Sequence, residues 1–126
     1  MSSITTFKSY HVYTLRRALT PNGRPARVLV ITSPSFSNHN DQPALSAIPL
    51  SDNPRRRTDR LSVCITGRLP MTQSGGGDVN QTLYANIGGI FPVSKSDFIM
   101  ASATPIRVVE EHEVKEKMMV YFGLGL

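Results

Sequence analysis

Arg27 and Ser51 are the two residues whose types and positions best suit chemistry on a phosphate. Arg27 opens an apolar, β-branched run over 27–32 that leads into Ser33, and Ser51 closes a second apolar run over 44–51. Two such strands side by side would leave room for a phosphate between a guanidinium at one strand start and a hydroxyl at the far end of the next. A planar guanidinium donates two hydrogen bonds to one phosphate, and a hydroxyl adds another. Donors fixed in this way stabilise negative charge as it builds on the phosphate oxygens.

Moving protons is harder for this pair, because arginine is a poor general acid unless its surroundings help. Histidine is chemically easier. His39 and His11 flank the proposed strands and are the weaker catalytic candidates, while His112 falls in the last element. Isolated histidines are more often structural or solvated. No Cys/His cluster has zinc spacing and no carboxylate set suggests magnesium, so no metal or other cofactor is expected.

The charge is uneven. Fourteen Lys and Arg against nine Asp and Glu give +5, with Arg16, Arg17, Arg24, Arg27, Arg55, Arg56, Arg57, Arg60 and Arg68 early and Glu110, Glu111, Glu113 and Glu116 late. An arginine-rich face suits a phosphate-bearing partner, and a solvated surface is the ordinary alternative.

These groups need a frame. The 126 residues, 40% of them hydrophobic, suffice for one domain over 1–126 with a core that needs no staples. The lone Cys64 lies in the apolar run 61–65 and reads as a small buried hydrophobe in a reducing compartment. No apolar run approaches the roughly 18 residues of a membrane span, and 1–6 lack a charged-then-apolar leader pattern, so a cytoplasmic location is expected.

Strands are expected at 11–15, 27–32, 44–50, 61–65, 69–72, 83–87 and 90–93. The first two would form a hairpin across the turn residues of 20–25, and 27–32 would be buried on both faces. A polar loop is expected at 34–43, with Pro49 marking an edge or bulge. The glycines of 75–77 read as a flexible turn, and Gly88 and Gly89 as a bend or a close backbone approach. Ser94 and Asp97 predict a short helix over 94–100. A final helix over 109–122 would bury Val114, Met118, Tyr121 and Phe122 and stop at Gly123. The sum is a mainly β fold: a small SH3-like, strongly bent antiparallel sheet or barrel with a C-terminal helix packed on it.

In this order the pieces resemble the MazF/PemK (Kid) toxins of bacterial toxin-antitoxin pairs, whose fold is shared with the gyrase inhibitor CcdB. The resemblance rests on Arg27 opening a strand that leads to Ser33, on Pro49-Leu50-Ser51 as the Pro-apolar-Thr step, on the late segment from Ile90 through Val93, Lys95 and Ser96 to Phe98, and on Phe122-Gly123-Leu124 at the end. Val28 stands where the family has proline, Ser51 where it has threonine, and Gly88 and Gly89 where polar residues are usual. Arg24 precedes a proline as the family arginine does, but two residues early relative to Ser33, which favours Arg27.

The resemblance implies a sequence-selective, metal-independent endoribonuclease. In its reaction a ribose 2′-hydroxyl of single-stranded RNA attacks its own phosphate beside Arg27 and Ser51. It also implies a homodimer and an acidic antitoxin partner. RNA binding would draw on Arg16, Arg17, Arg24, Arg55, Arg56 and Arg57 for the backbone and on Phe36 and Tyr13 for unstacked bases. Tyr13 equally fits core packing. The alternatives are a CcdB-like gyrase-inhibiting toxin acting through its closing helix, or an inactive relative serving as a binding module.

Overall fold

The computed structural model describes residues 6–16, 27–39, 41–54, 58–70 and 78–124. Its strands are β1 (His11–Leu15), β2 (Arg27–Val30), β3 (Ala44–Ser51), β4 (Ser62–Pro70), β5 (Asp78–Asn86), β6 (Phe91–Ser94) and β7 (Phe98–Pro105). Two helices accompany them, the one-turn α1 (Pro34–Ser37) and the long α2 (Val108–Tyr121). The strands form one antiparallel sheet in the order β4-β5-β3-β2-β1-β7, with β6 added to the edge of β3. The sheet bends into a nearly closed barrel with α2 against it, the fold class expected from the sequence.

All four residues of β2 are buried, and their alternation builds two cores. Leu29 joins Val12, Ile48, Val63, Ile65, Leu83 and Val114 on one face. Val28 and Val30 join Phe7, Tyr13, Leu15, Leu45, Val93 and Phe98 on the other. In that second core Phe7, Tyr13 and Phe98 meet ring to ring, at centroid separations of 5.1–5.9 Å. Tyr13 is therefore a core residue, and the Tyr13 hydroxyl accepts a hydrogen bond from the Lys8 backbone N–H at 3.0 Å.

Several local expectations are corrected. Residues 94–100 are not a helix: a single 3-10 turn, Lys95–Asp97, leads into β7, because pairing with β1 and burial of Phe98 outweigh the capping pattern. The loop at 34–43 contains α1, started by Ser33, whose side chain accepts from the Ser35 N–H. The proposed strands at 61–65 and 69–72 are joined in β4, and Ile87 leaves the strand for a 3-10 turn, Ile87–Gly89. Cys64 is exposed, because Val63 and Ile65 take the inward positions on either side of it. Tyr121 and Phe122 are about half exposed, whereas Val114 is buried and Met118 packs on the first core. The turns at 20–25 and 75–77 lie outside the described residues.

Pro49 lies in an interior strand, paired with Val28 on one side. On the other it falls in the break between the β6 pairing that ends at Ala47 and the β5 pairing that begins at Leu50, an interruption of the kind an edge or bulge would give. A side chain at Gly89 would come within 3.0 Å of the Pro49 ring, so the close approach expected there is real. Gly67, inside β4, has φ +134°, a conformation that favours glycine, in the part of the long β4–β5 hairpin that extends beyond the end of β3.

The helix α2 is tied down by Glu110, which is 1% exposed. Its carboxylate accepts from the Thr66 N–H (2.8 Å), from the Arg107 N–H (3.0 Å) and from the Arg107 guanidinium (2.8 Å). Burial alone would raise the pKa of this carboxyl. The Arg107 and Thr66 hydrogen bonds and the Arg107 charge outweigh it and hold the group below the usual carboxylate range. Lys117 adds a bond to the Ser62 carbonyl at 2.8 Å. Leu124 N–H to the Met119 carbonyl and Gly123 N–H to the Val120 carbonyl close the helix at the expected stop.

Two stability predictions follow from these contacts. Gly67→Ala would cost about 1–3 kcal/mol, because φ rather than space forbids the side chain, and chemical denaturation measures it. Glu110→Gln would lower stability at neutral pH by about 1–3 kcal/mol. With its folded pKa depressed, Glu110 contributes above its unfolded pKa and loses that contribution as pH falls through the folded one. Urea midpoints for the wild type and the Gln variant should therefore converge in acid.

Candidate functional site

Arg27 stands at the first position of β2, paired with Thr14 on one side and Leu50 on the other. Strand alternation turns it to the face of Leu29, Leu50 and the first core. Only 7% of it is exposed. One guanidinium nitrogen donates to Gln81 Oε1 at 2.5 Å, and the Gln81 amide nitrogen donates to the carbonyls of Leu69 (2.9 Å) and Pro70 (3.2 Å). Those two carbonyls fix which way the Gln81 amide points, so its oxygen faces the arginine. Gln81 pairs with Gly67 in the β4–β5 hairpin, beyond the last β3–β5 pair, Ser51 with Tyr84.

Asp52 completes the group, with Oδ2 at 3.8 Å from the guanidinium on a side chain that is largely exposed. Burial lowers the Arg27 pKa below the usual guanidinium value, and the Asp52 charge partly opposes that shift. Sequence reasoning missed both partners. Asp52 lies two residues beyond Leu50, which pairs with Arg27, so the strand register places it on the arginine face. No local signal marked Gln81.

Ser51 lies at the same end of the sheet, one position past Leu50, but pairs with Tyr84 and faces away from Arg27. Its hydroxyl accepts from the Asn53 N–H at 3.1 Å. Arg16 also lies at this end, and its guanidinium donates to the Ser96 carbonyl at 2.7 Å. Arg17, Arg24, Arg55, Arg56 and Arg57 lie outside the described residues.

The remaining candidates sit elsewhere. His11 pairs with Val30, at the opposite end of β2, and its Nδ1 is 3.0 Å from the Ser9 carbonyl. Phe36 and His39 follow β2 on and after α1, both exposed, with Asp41 near the imidazole. His112 lies on α2. The fold thus gathers Arg27, Gln81 and Asp52 at one end, with Ser51 and Arg16 close by in the chain pairing, and leaves both catalytic histidine candidates at the other. Among the described residues no three His, Cys, Asp or Glu side chains converge as metal ligands, and no helix is long and apolar enough to cross a membrane.

If Gln81 fixes the Arg27 guanidinium, Gln81→Leu leaves a buried donor unpaired. Stability should drop by about 1–3 kcal/mol, and the Arg27 side-chain resonances should broaden or shift in the NMR spectrum. Unchanged Arg27 resonances in a folded variant would show that Gln81 does not hold it.

No protein-family model matches the chain, and no curated protein matches it in sequence. Among solved structures, the chain is similar to an endoribonuclease from a mycobacterial species, determined in complex with its cognate antitoxin. The two are 16% identical, the match covers 94% of this chain and 96% of that one, and the TM-score is 0.68. The similarity is one of fold, and it agrees with the MazF/PemK-like fold that the order of the motifs implied.

Proposed function

We propose that the protein is an endoribonuclease toxin that cleaves single-stranded RNA in a sequence-selective, metal-independent way and is neutralised by an acidic antitoxin. The observation that carries this reading is the fold shared over nearly the whole chain with an endoribonuclease that was solved bound to its antitoxin. The buried arginine on the rim of the barrel and the net charge of +5 add to it.

In the reaction, a ribose 2′-oxygen attacks the adjacent phosphorus and the bond to the 5′-oxygen of the next nucleotide breaks. The products are a 2′,3′-cyclic phosphate and a 5′-hydroxyl, and the proton lost by the 2′-hydroxyl is balanced by the one gained by the leaving oxygen. Arg27 would neutralise the charge gathered on the phosphate oxygens, from a site already screened from water. Because Asp52 occupies the open side of the guanidinium, a phosphate would take over its place. Burial lowers the arginine's pKa and so eases its use as a proton donor. Ser51 would donate to the same phosphate only from a backbone that wraps around the end of β3. Arg16, Arg17, Arg24, Arg55, Arg56 and Arg57 would hold the flanking phosphates, and a cytoplasmic location fits an RNA substrate.

A second copy of the chain would cover apolar side chains that stand open near the end of α2, among them Val120, Phe122 and Leu124, 52–70% exposed. The same surface favours the alternative of a CcdB-like toxin that acts by binding a topoisomerase. Incubation with single-stranded RNA in EDTA separates the two. Wild type should give cyclic-phosphate ends, and Arg27→Ala, checked for folding by circular dichroism, should be slowed about 100-fold or more. Loss of cleavage in Arg24→Ala but not in Arg27→Ala would move the role to Arg24. Intact RNA together with inhibited supercoiling would establish the topoisomerase reading instead.

A further inference from the structure

We infer that the concavity beside α1 is a nucleobase-binding subsite, an inference that rests on the ribonuclease reading for its biological context but not for its chemistry. The cavity has a volume of about 290 Å³ and is lined by Ser35, Phe36, His39, Asp41 and Gln42. That is the lower end of ligand-pocket sizes and suits one ring system rather than a folded chain. Phe36, one of the lining residues, is 63% exposed, so its ring is open to a partner.

The polar groups around the ring complement a base edge. His39 Nδ1 accepts the Asp41 N–H at 3.2 Å, so the neutral imidazole carries its proton on Nε2 and offers a donor. The Gln42 amide nitrogen donates to the Ala44 carbonyl at 2.8 Å, leaving its carbonyl oxygen as an acceptor. An aromatic plane with a donor and an acceptor beside it is how unstacked bases of single-stranded RNA are recognised. Lys95 reaches the His39 carbonyl at 2.8 Å, and its ammonium keeps two further donors for a neighbouring phosphate.

The α1 side of the cavity is tied to the core. Asn38, just after α1, accepts the Phe7 N–H at 2.7 Å and donates to the Phe7 carbonyl at 3.2 Å, which fastens the α1 turn to a residue of the second core. β2 separates this cavity from Arg27, and its four residues span about 10 Å. The base held here is therefore away from the phosphodiester beside the arginine. The subsite would contribute to which RNA sequence is accepted.

The test is an amide NMR titration of the full chain with adenosine and uridine 5′-monophosphates, with ribose 5-phosphate as the baseless control. The nucleotides should shift the amides of Phe36, His39 and Gln42 and the sugar phosphate should not. Phe36→Ala, a substitution at an exposed position, should weaken nucleotide binding roughly 5- to 100-fold. In cleavage assays it should raise KM or change sequence preference with kcat kept. Equal shifts with ribose 5-phosphate, no shifts at these amides, or unchanged affinity in Phe36→Ala would each overturn the subsite. Base binding at these amides without any RNA cleavage would uphold the subsite while the ribonuclease reading fails.

Discussion

The burial of β2 on both faces constrains the rest of the molecule. Val28 and Val30 point into one core and Leu29 into the other, so β1 and β3 must flank the strand and further elements must cover each face. α2 supplies part of the cover on one side through Val114, and Phe7 with β6 and β7 supplies it on the other. The first residue of this strand is an arginine. Its backbone position in the sheet commits the guanidinium to the rim of the first core, where a charged group needs partners to be tolerated.

Those partners come from distant parts of the chain. The β4–β5 hairpin outruns β3, and Gln81 on its second strand meets the arginine. Asp52 arrives from the residue after β3 ends. The result is a cation that is partly desolvated, oriented by a neutral amide and opened to one side past an exposed carboxylate. Such a group needs little reorganisation when another anion replaces that carboxylate.

α2 divides its labour along its length. Its first turns are fastened through Glu110 to Thr66 and Arg107, and Val114 and Met118 pack inward. Beyond Met118 the side chains are apolar yet open, and the Tyr121 hydroxyl donates to the Gly88 carbonyl at 3.4 Å. An apolar end on a firmly held helix is suited to another protein surface. That contrast explains why helical spacing alone overestimated how much of the helix enters the core.

Local sequence determined what depends on neighbouring residues. Alternation and β-branching located β1, β2 and β3, periodicity and Gly123 bounded α2, and the run of apolar types around β2 announced two-sided burial. The order of short motifs was enough to imply the fold. Tertiary structure decided whatever depends on register and long-range pairing. Phe98 became a core residue at the start of β7 rather than part of a helix, Cys64 turned outward, Pro49 entered the sheet at a change of partner, and Ser51 and Arg27 fell on opposite faces. A shift of one residue in strand pairing reverses every side chain, and no property of an isolated segment encodes that choice. For the same reason it is long-range strand pairing that brings Gln81, 54 residues away, to Arg27.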